Sequence, residues 1–128
     1  MSQTNYDRTK FFVKARFKSF TYAFEGIKNF VSNQHNTWIH LLATVVVISL
    51  SVVFHISNSE AVALIFAVGF VWVSELFNTV IEKIMDFISL EGNPQIKLIK
   101  DISAAAVLIS AITALAAGCI IFIPKILQ

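Results

Sequence analysis

Apolar residues in this chain gather into three blocks, Ile39–Ile56, Ala61–Ile84 and Ile102–Ile123, divided by short polar stretches. Each block is close to the roughly 20 residues that a helix needs to cross a bilayer. The first and third lack the polar face that a soluble bundle with a greasy core would require. The pattern therefore predicts three transmembrane helices, at about residues 38–57, 61–86 and 102–123. Ahead of them the period changes. Val13, Phe17, Phe20, Phe24, Ile27 and Val31 recur at steps of four and three residues, with Lys14, Lys18, Thr21, Glu25 and Lys28 alongside. That spacing predicts an amphipathic helix over about residues 11–32. A basic, Phe-rich helix before a span suits the headgroup plane, where lysines meet anionic lipid. A partner-binding helix and a lid over the spans are the other readings. The expected fold is an all-α membrane protein: a single membrane domain over residues 1–128, with a surface helix and three transmembrane helices.

One span breaks its own pattern. Glu75, Asn78, Glu82 and Asp86 stand at i, i+3, i+7 and i+11 in a segment otherwise made of Phe, Val, Trp, Leu and Ile. At roughly 100° per residue these steps return to one azimuth, so the four side chains form a stripe. The run before them, Ala61 to Ser74, carries no charge. A carboxylate costs about 2.5–3.5 kcal/mol at a helix centre on insertion scales, and less near the interface. A stripe of this kind marks a functional site.

Composition agrees with the membrane reading. The chain is 56% hydrophobic and 14% charged, with a mean hydropathy of +0.73, far from soluble averages. No short apolar h-region with a cleavage site precedes the first block, so no signal peptide is expected. Cys119 is the sole cysteine, which excludes an intramolecular disulfide and suits a small residue facing lipid or a helix. The net charge of +2 matters less than its distribution. Arg8, Lys10, Lys14, Arg16, Lys18 and Lys28 precede the first span, and Lys97 and Lys100 lie between the second and third. The first link, Ser57 to Glu60, has no basic residue. The positive-inside rule then places the N-terminus and second link in the cytoplasm of a cell bounded by this inner membrane. Trp38, ahead of the first span, suits the interface.

Carboxylates spaced as Glu75 and Glu82 can hold a divalent cation, take a proton from a hydroxyl, or pair with Lys of a neighbouring helix. Asp101 is expected to cap the third span, with Lys100 beside a helix N-terminus that would attract phosphate. The plain alternative is that Glu82 and Asp86 mark a helix end and pair with Lys83 or Lys97. His55 and Glu60 read as solvated loop residues, and His40 as an interfacial hydrogen-bonding residue rather than a metal ligand. Gly-rich phosphate loops, soluble-kinase signatures, Cys/His clusters and nucleophile elbows are all missing from the sequence. Nucleotide, if handled, must be handled by carboxylates, a lysine and a metal ion. Three helices enclose a polar stripe poorly, and small residues from Ser103 to Gly118 permit close helix approach, so self-association is expected.

The string from Glu75 through Asn78 and Glu82 to Asp86, followed by Lys100-Asp101-Ile102-Ser103-Ala104, resembles the prokaryotic diacylglycerol kinase and undecaprenol kinase family. Tyr22-Ala23-x-x-Gly26 and Asn36-x-x-x-His40 are similar to its N-terminal pattern, and the resemblance runs from about Phe17 to Phe122. It implies a homotrimer that moves the γ-phosphoryl of MgATP to a lipid hydroxyl, with no nucleic-acid partner. It further implies Glu75 as catalytic base, Asn78 as substrate-positioning residue and Glu82 as metal ligand. Lys100 and Asp101 would contact nucleotide phosphates. Asp86 and the loop Glu91, Gly92 and Asn93 would lie along the nucleotide, with Arg16 and Tyr22 helping from the surface helix. Gln34 departs from the pattern: many members carry a metal-binding Glu there, and one neutral oxygen holds Mg²⁺ less strongly than a carboxylate. The acceptor reads as undecaprenol or diacylglycerol, with a lean to the former, and the lipid phosphate would serve cell-envelope lipid recycling. Two other functions stay open: a catalytically impaired, lipid-binding scaffold of the same family, suggested by Gln34, and a small transporter using Glu75.

Overall fold

The computed structural model describes residues 3–89 and 91–128. They form four helices: α1 (Gln3–Asn33), α2 (His35–Val53), α3 (Asn58–Ile88) and α4 (Pro94–Ile126). The chain divides into an N-terminal unit ending at His35 and a second unit, Asn36–Gln128.

α1 begins at Gln3 rather than near residue 11. Its first turns contain no Gly or Pro, and the Lys10 ammonium lies 4.8 Å from the Tyr6 ring centroid one turn back, an i, i+4 contact that helps to hold this extra length in the helix. Phe17, Phe20 and Phe24 are exposed along it.

In the second unit, α2, α3 and α4 are each long and apolar enough to cross a membrane, and the protein is a multi-pass membrane protein. α2 closes with two C-terminal hydrogen bonds, from the Ile56 N–H to the Ser51 carbonyl and from the His55 N–H to the Val52 carbonyl. His55 takes φ 47° there, the left-handed position that ends many helices and more often falls to Gly or Asn. α3 opens with a capping box: the Glu60 N–H donates to Ser57 Oγ at 3.2 Å, and the Ser57 N–H donates to Glu60 Oε2 at 2.9 Å. Glu60 also pairs with Lys125 at 3.2 Å. Glu60 remains partly exposed, as expected, and gains Lys125 as a partner because the start of α3 and the end of α4 meet at one level.

α4 starts two turns earlier than the apolar block suggested. Asn93 caps it, with Oδ1 accepting from the Gln95 N–H at 2.9 Å, and Pro94 occupies the first turn. Asp101 is therefore inside the helix and is not its N-cap. The physical reason is local: Pro at the first helical position loses no hydrogen bond, and Asn before it satisfies an orphan N–H.

α3 and α4 make the most extensive helix–helix contact. Leu64, Ile121 and Phe122 form a buried cluster, with Val47, Leu50, Phe54 and Ile56 packed against it. On α4 the inward positions include Ser103, Ser110 and Ile121, spaced by about two and three helical turns. Part of the small-residue content of this helix thus serves contact within the chain.

Candidate functional site

The buried residues of α3 are Leu64, Val71, Glu75, Asn78 and Thr79. The polar stripe is therefore the continuation of the helix's core-facing seam, with carboxylate and amide replacing Leu and Val. Glu75 is 4% exposed and Asn78 8%, whereas Glu82 is half-buried and Asp86 exposed. A single chain encloses the deeper half of the stripe, so the expectation that three helices would enclose it poorly holds only for the shallower half, Glu82 and Asp86.

The Glu60–Lys125 pair supplies a common level from which heights can be read. At 1.5 Å per residue, Glu75 stands about 22 Å above Glu60, Glu82 about 33 Å and Asp86 about 39 Å; Lys100 stands about 38 Å above Lys125. A hydrocarbon core of about 30 Å that begins at the Glu60 level would contain Glu75, end near Glu82 and leave Asp86 outside it. Lys100 and Asp86 are level with each other, and they pair directly. The plain expectation for Asp86, a partner in Lys83 or Lys97, is replaced by this contact across the α3–α4 hairpin. Lys97 pairs instead with Asp101 one turn along α4. Lys100 consequently lies seven residues into α4, away from the unpaired N–H groups expected beside it.

Below the charged end, Ser103 joins α4 to the stripe. Its Oγ lies 2.7 Å from Asn78 Oδ1 and 2.8 Å from the Lys100 carbonyl. One hydroxyl proton serves both acceptors, one at a time. Deeper still, His40 Nε2 of α2 lies 3.6 Å from Glu75 Oε2. Trp72, three residues before Glu75, donates from Nε1 to Thr44 Oγ1 at 3.0 Å. Thr44 donates in turn to the His40 carbonyl at 2.7 Å.

His40, Thr44 and Trp72 close one end of an apolar groove of about 410 Å³ between α2, α3 and α4. Its remaining wall is apolar, from Val71 and Ala111 past Cys119 to Ile126.

Of the residues proposed from sequence, Glu75, Asn78, Glu82, Asp86, Lys100 and Asp101 lie on the α3–α4 hairpin. Asn93 is engaged as the α4 cap, and Glu91 and Gly92 are exposed beside it. Arg16 and Tyr22 are exposed on α1, and Gln34 lies at the break between α1 and α2. Glu82 makes no hydrogen bond or ion pair among the described residues, and no group of three or more metal-ligating His, Cys, Asp or Glu occurs among them. The sequence marks Ser103 only as a small residue near the start of the third apolar block and gives no signal for Trp72. Ser103 follows Lys100 by one turn and precedes Ser110 by seven residues, a recurrence that marks the inward seam.

The sequence model of the prokaryotic diacylglycerol kinase family matches residues 21–122. The chain is 32% identical over 110 residues to the undecaprenol kinase of Bacillus subtilis (strain 168), covering 86% of this chain and 89% of that protein. It is 31% identical over 111 residues to the diacylglycerol kinase of Synechocystis sp. (strain ATCC 27184 / PCC 6803 / Kazusa), covering 86% of this chain and 63% of that protein. The chain thus spans a little under two thirds of the second relative. The buried carboxylate, the lysine level with the hairpin end and three spanning helices occur in a sequence matched over most of its length, and the chain belongs to the prokaryotic diacylglycerol kinase family of lipid kinases.

Proposed function

We propose that this lipid kinase transfers the γ-phosphoryl of MgATP to the hydroxyl of a membrane lipid, undecaprenol before diacylglycerol, at the cytoplasmic face of the inner membrane. The observation that carries the reading is the depth order along α3. Glu75 is buried inside the span beside an apolar groove, while Glu82, Asp86 and Lys100 stand at and beyond the boundary. A lipid hydroxyl meets Glu75 from below as nucleotide meets Lys100 from above. The groove offers few polar groups, and two of them, Thr44 and Trp72, satisfy each other. Such a wall suits an acceptor with one hydroxyl and no ester carbonyls, since unpaired carbonyls in hydrocarbon are costly.

Glu75 accepts the hydroxyl proton as the oxygen attacks phosphorus. Asn78, held by Ser103, presents its amide to the phosphoryl group. Lys100 exchanges Asp86 for phosphate oxygens, and Asp86, Glu91, Gly92, Asn93 and Asp101 lie along the nucleotide, joined by Arg16 and Tyr22. The donor set fits Mg²⁺ carried by nucleotide: Mg²⁺ is commonly held by one or two carboxylates plus phosphates and water, and Glu82 is an uncommitted carboxylate. Gln34 contributes one neutral oxygen. When bound, the ion neutralises charge on the phosphates. The assembly is a homotrimer in this reading, supported by the small residues of α4 that permit close helix approach.

The test is radiolabelled phosphate transfer by purified protein in lipid-doped micelles, with undecaprenol and diacylglycerol offered separately and Glu75→Gln as control. Labelled polyprenyl phosphate, lost in the control with ATP binding intact, is the expected result. Label on diacylglycerol alone overturns the acceptor. Near-normal rates in the control remove Glu75 from its role. Product from neither lipid, in well-folded protein, would favour a lipid-binding scaffold, the reading that Gln34 suggests.

A further inference from the structure

We propose that His40 is a positioning residue that acts through Glu75, aiming the free oxygen of the carboxylate at the acceptor hydroxyl; this rests on Glu75 being the base. Glu75 is a problem for the fold. A carboxylate 4% exposed has lost nearly all its water, and a buried anion is costly unless a donor or cation stands beside it. Among the described residues no Lys or Arg pairs with it, and the one charged or titratable side chain paired with it is His40, at 3.6 Å. That separation is ion-pair distance and exceeds a hydrogen bond, which requires about 3.2 Å or less. Contacts of this kind tighten when substrate completes a site.

The ring is not left to find its own place. Its edge meets Trp72, with centroids 6.3 Å apart at 64°. Trp72 is fixed in turn by its N–H on Thr44, whose hydroxyl proton goes to the backbone carbonyl of His40. The contacts close a ring, His40 to Trp72 to Thr44 and back to His40, joining α2 to α3 one turn from Glu75. Such a clamp fixes where Nε2 points. One carboxylate oxygen then faces Nε2–H, and the other is left to receive the proton. His40 also lines the groove end, so it lies where the acceptor hydroxyl must pass. From α4 the groove is lined by Ala111, Ala114 and Leu115 among others, and these carry no charge.

Three variants test this beside Glu75→Gln, with kcat and both KM values measured on the full chain in micelles. His40→Leu keeps bulk and removes the donor; kcat is expected to fall about 10- to 100-fold, the scale of a misplaced reacting group, with KM for lipid and ATP within about twofold. His40→Gln restores an N–H at a similar reach and is expected to recover most of kcat. A Gln variant as slow as the Leu variant, an unaffected Leu variant, or a loss carried by KM alone would each overturn the proposal. Should His40→Leu fail to fold, His40→Ala with and without added imidazole makes the same comparison, and rescue by imidazole supports the role while no rescue overturns it. The control separates the two readings: an active Glu75→Gln defeats the base itself, whereas an inactive one beside a fully active His40→Leu defeats only the inference drawn here.

Discussion

Ser103→Ala is the sharpest test of how α4 holds the polar stripe. The substitution removes one oxygen from a position 6% exposed and leaves Asn78 Oδ1, in a residue 8% exposed, without its partner at 2.7 Å. A net neutral hydrogen bond is worth about 0.5–1.5 kcal/mol, and an orphaned buried acceptor costs about 1–3. Interhelical bonds in membranes average about 0.6 kcal/mol with a maximum near 1.7, because the unfolded helices also find partners. The second figure governs here, since both groups lie at membrane depth or just above it. We expect a loss of about 1 kcal/mol, or roughly 3–4 °C in Tm for a chain of this size. The alanine also loses the Ser103 bond to the Lys100 carbonyl, but that carbonyl is part of the helix ladder. A double-mutant cycle with Asn78→Ala, followed by SDS unfolding in mixed micelles, isolates the pair. The double variant should recover about 0.6–1.7 kcal/mol relative to additivity, because neither partner is then orphaned. Additivity within about 0.3 kcal/mol would refute the contact as an energetic tie. If Asn78 positions the phosphoryl group, Ser103→Ala also lowers kcat about tenfold, the cost of a loosened positioning group.

Other substitutions separate roles along the stripe. Glu82→Gln should raise the Mg²⁺ concentration for half-maximal rate by about tenfold or more while leaving lipid KM unchanged, because one neutral oxygen replaces a charged pair; an unchanged Mg²⁺ titration would remove Glu82 from metal binding. Lys100→Met should raise nucleotide KM by about tenfold yet leave Tm nearly unchanged, since a half-exposed ion pair such as Lys100–Asp86 is worth under about 1 kcal/mol. A large drop in Tm with normal nucleotide KM would make the lysine structural instead.

The apolar blocks and the Glu75, Asn78, Glu82 and Asp86 spacing were sufficient to predict three spans and a stripe, because periodicity and hydrocarbon length act locally along the chain. The start of α4 was also written locally, in Asn93-Pro94, but the apolar block beginning at Ile102 is the louder signal and masks it. A helix continues as far as its caps permit, whereas hydropathy marks only the part in lipid. Pairing was a different matter. For Asp86 the sequence offered Lys83 or Lys97, and only the hairpin registry, with α3 and α4 rising equally from the Glu60–Lys125 level, selected Lys100. Likewise, His40 and Glu75 are 35 residues apart in the sequence. A lone histidine has no periodic signature, so its place beside the carboxylate was decided by tertiary packing: the crossing of α2 on α3 and the Trp72–Thr44 hydrogen bond that fixes it. Local chemistry determined the helices, the membrane and the residues that could act; the registry between helices decided which of them meet.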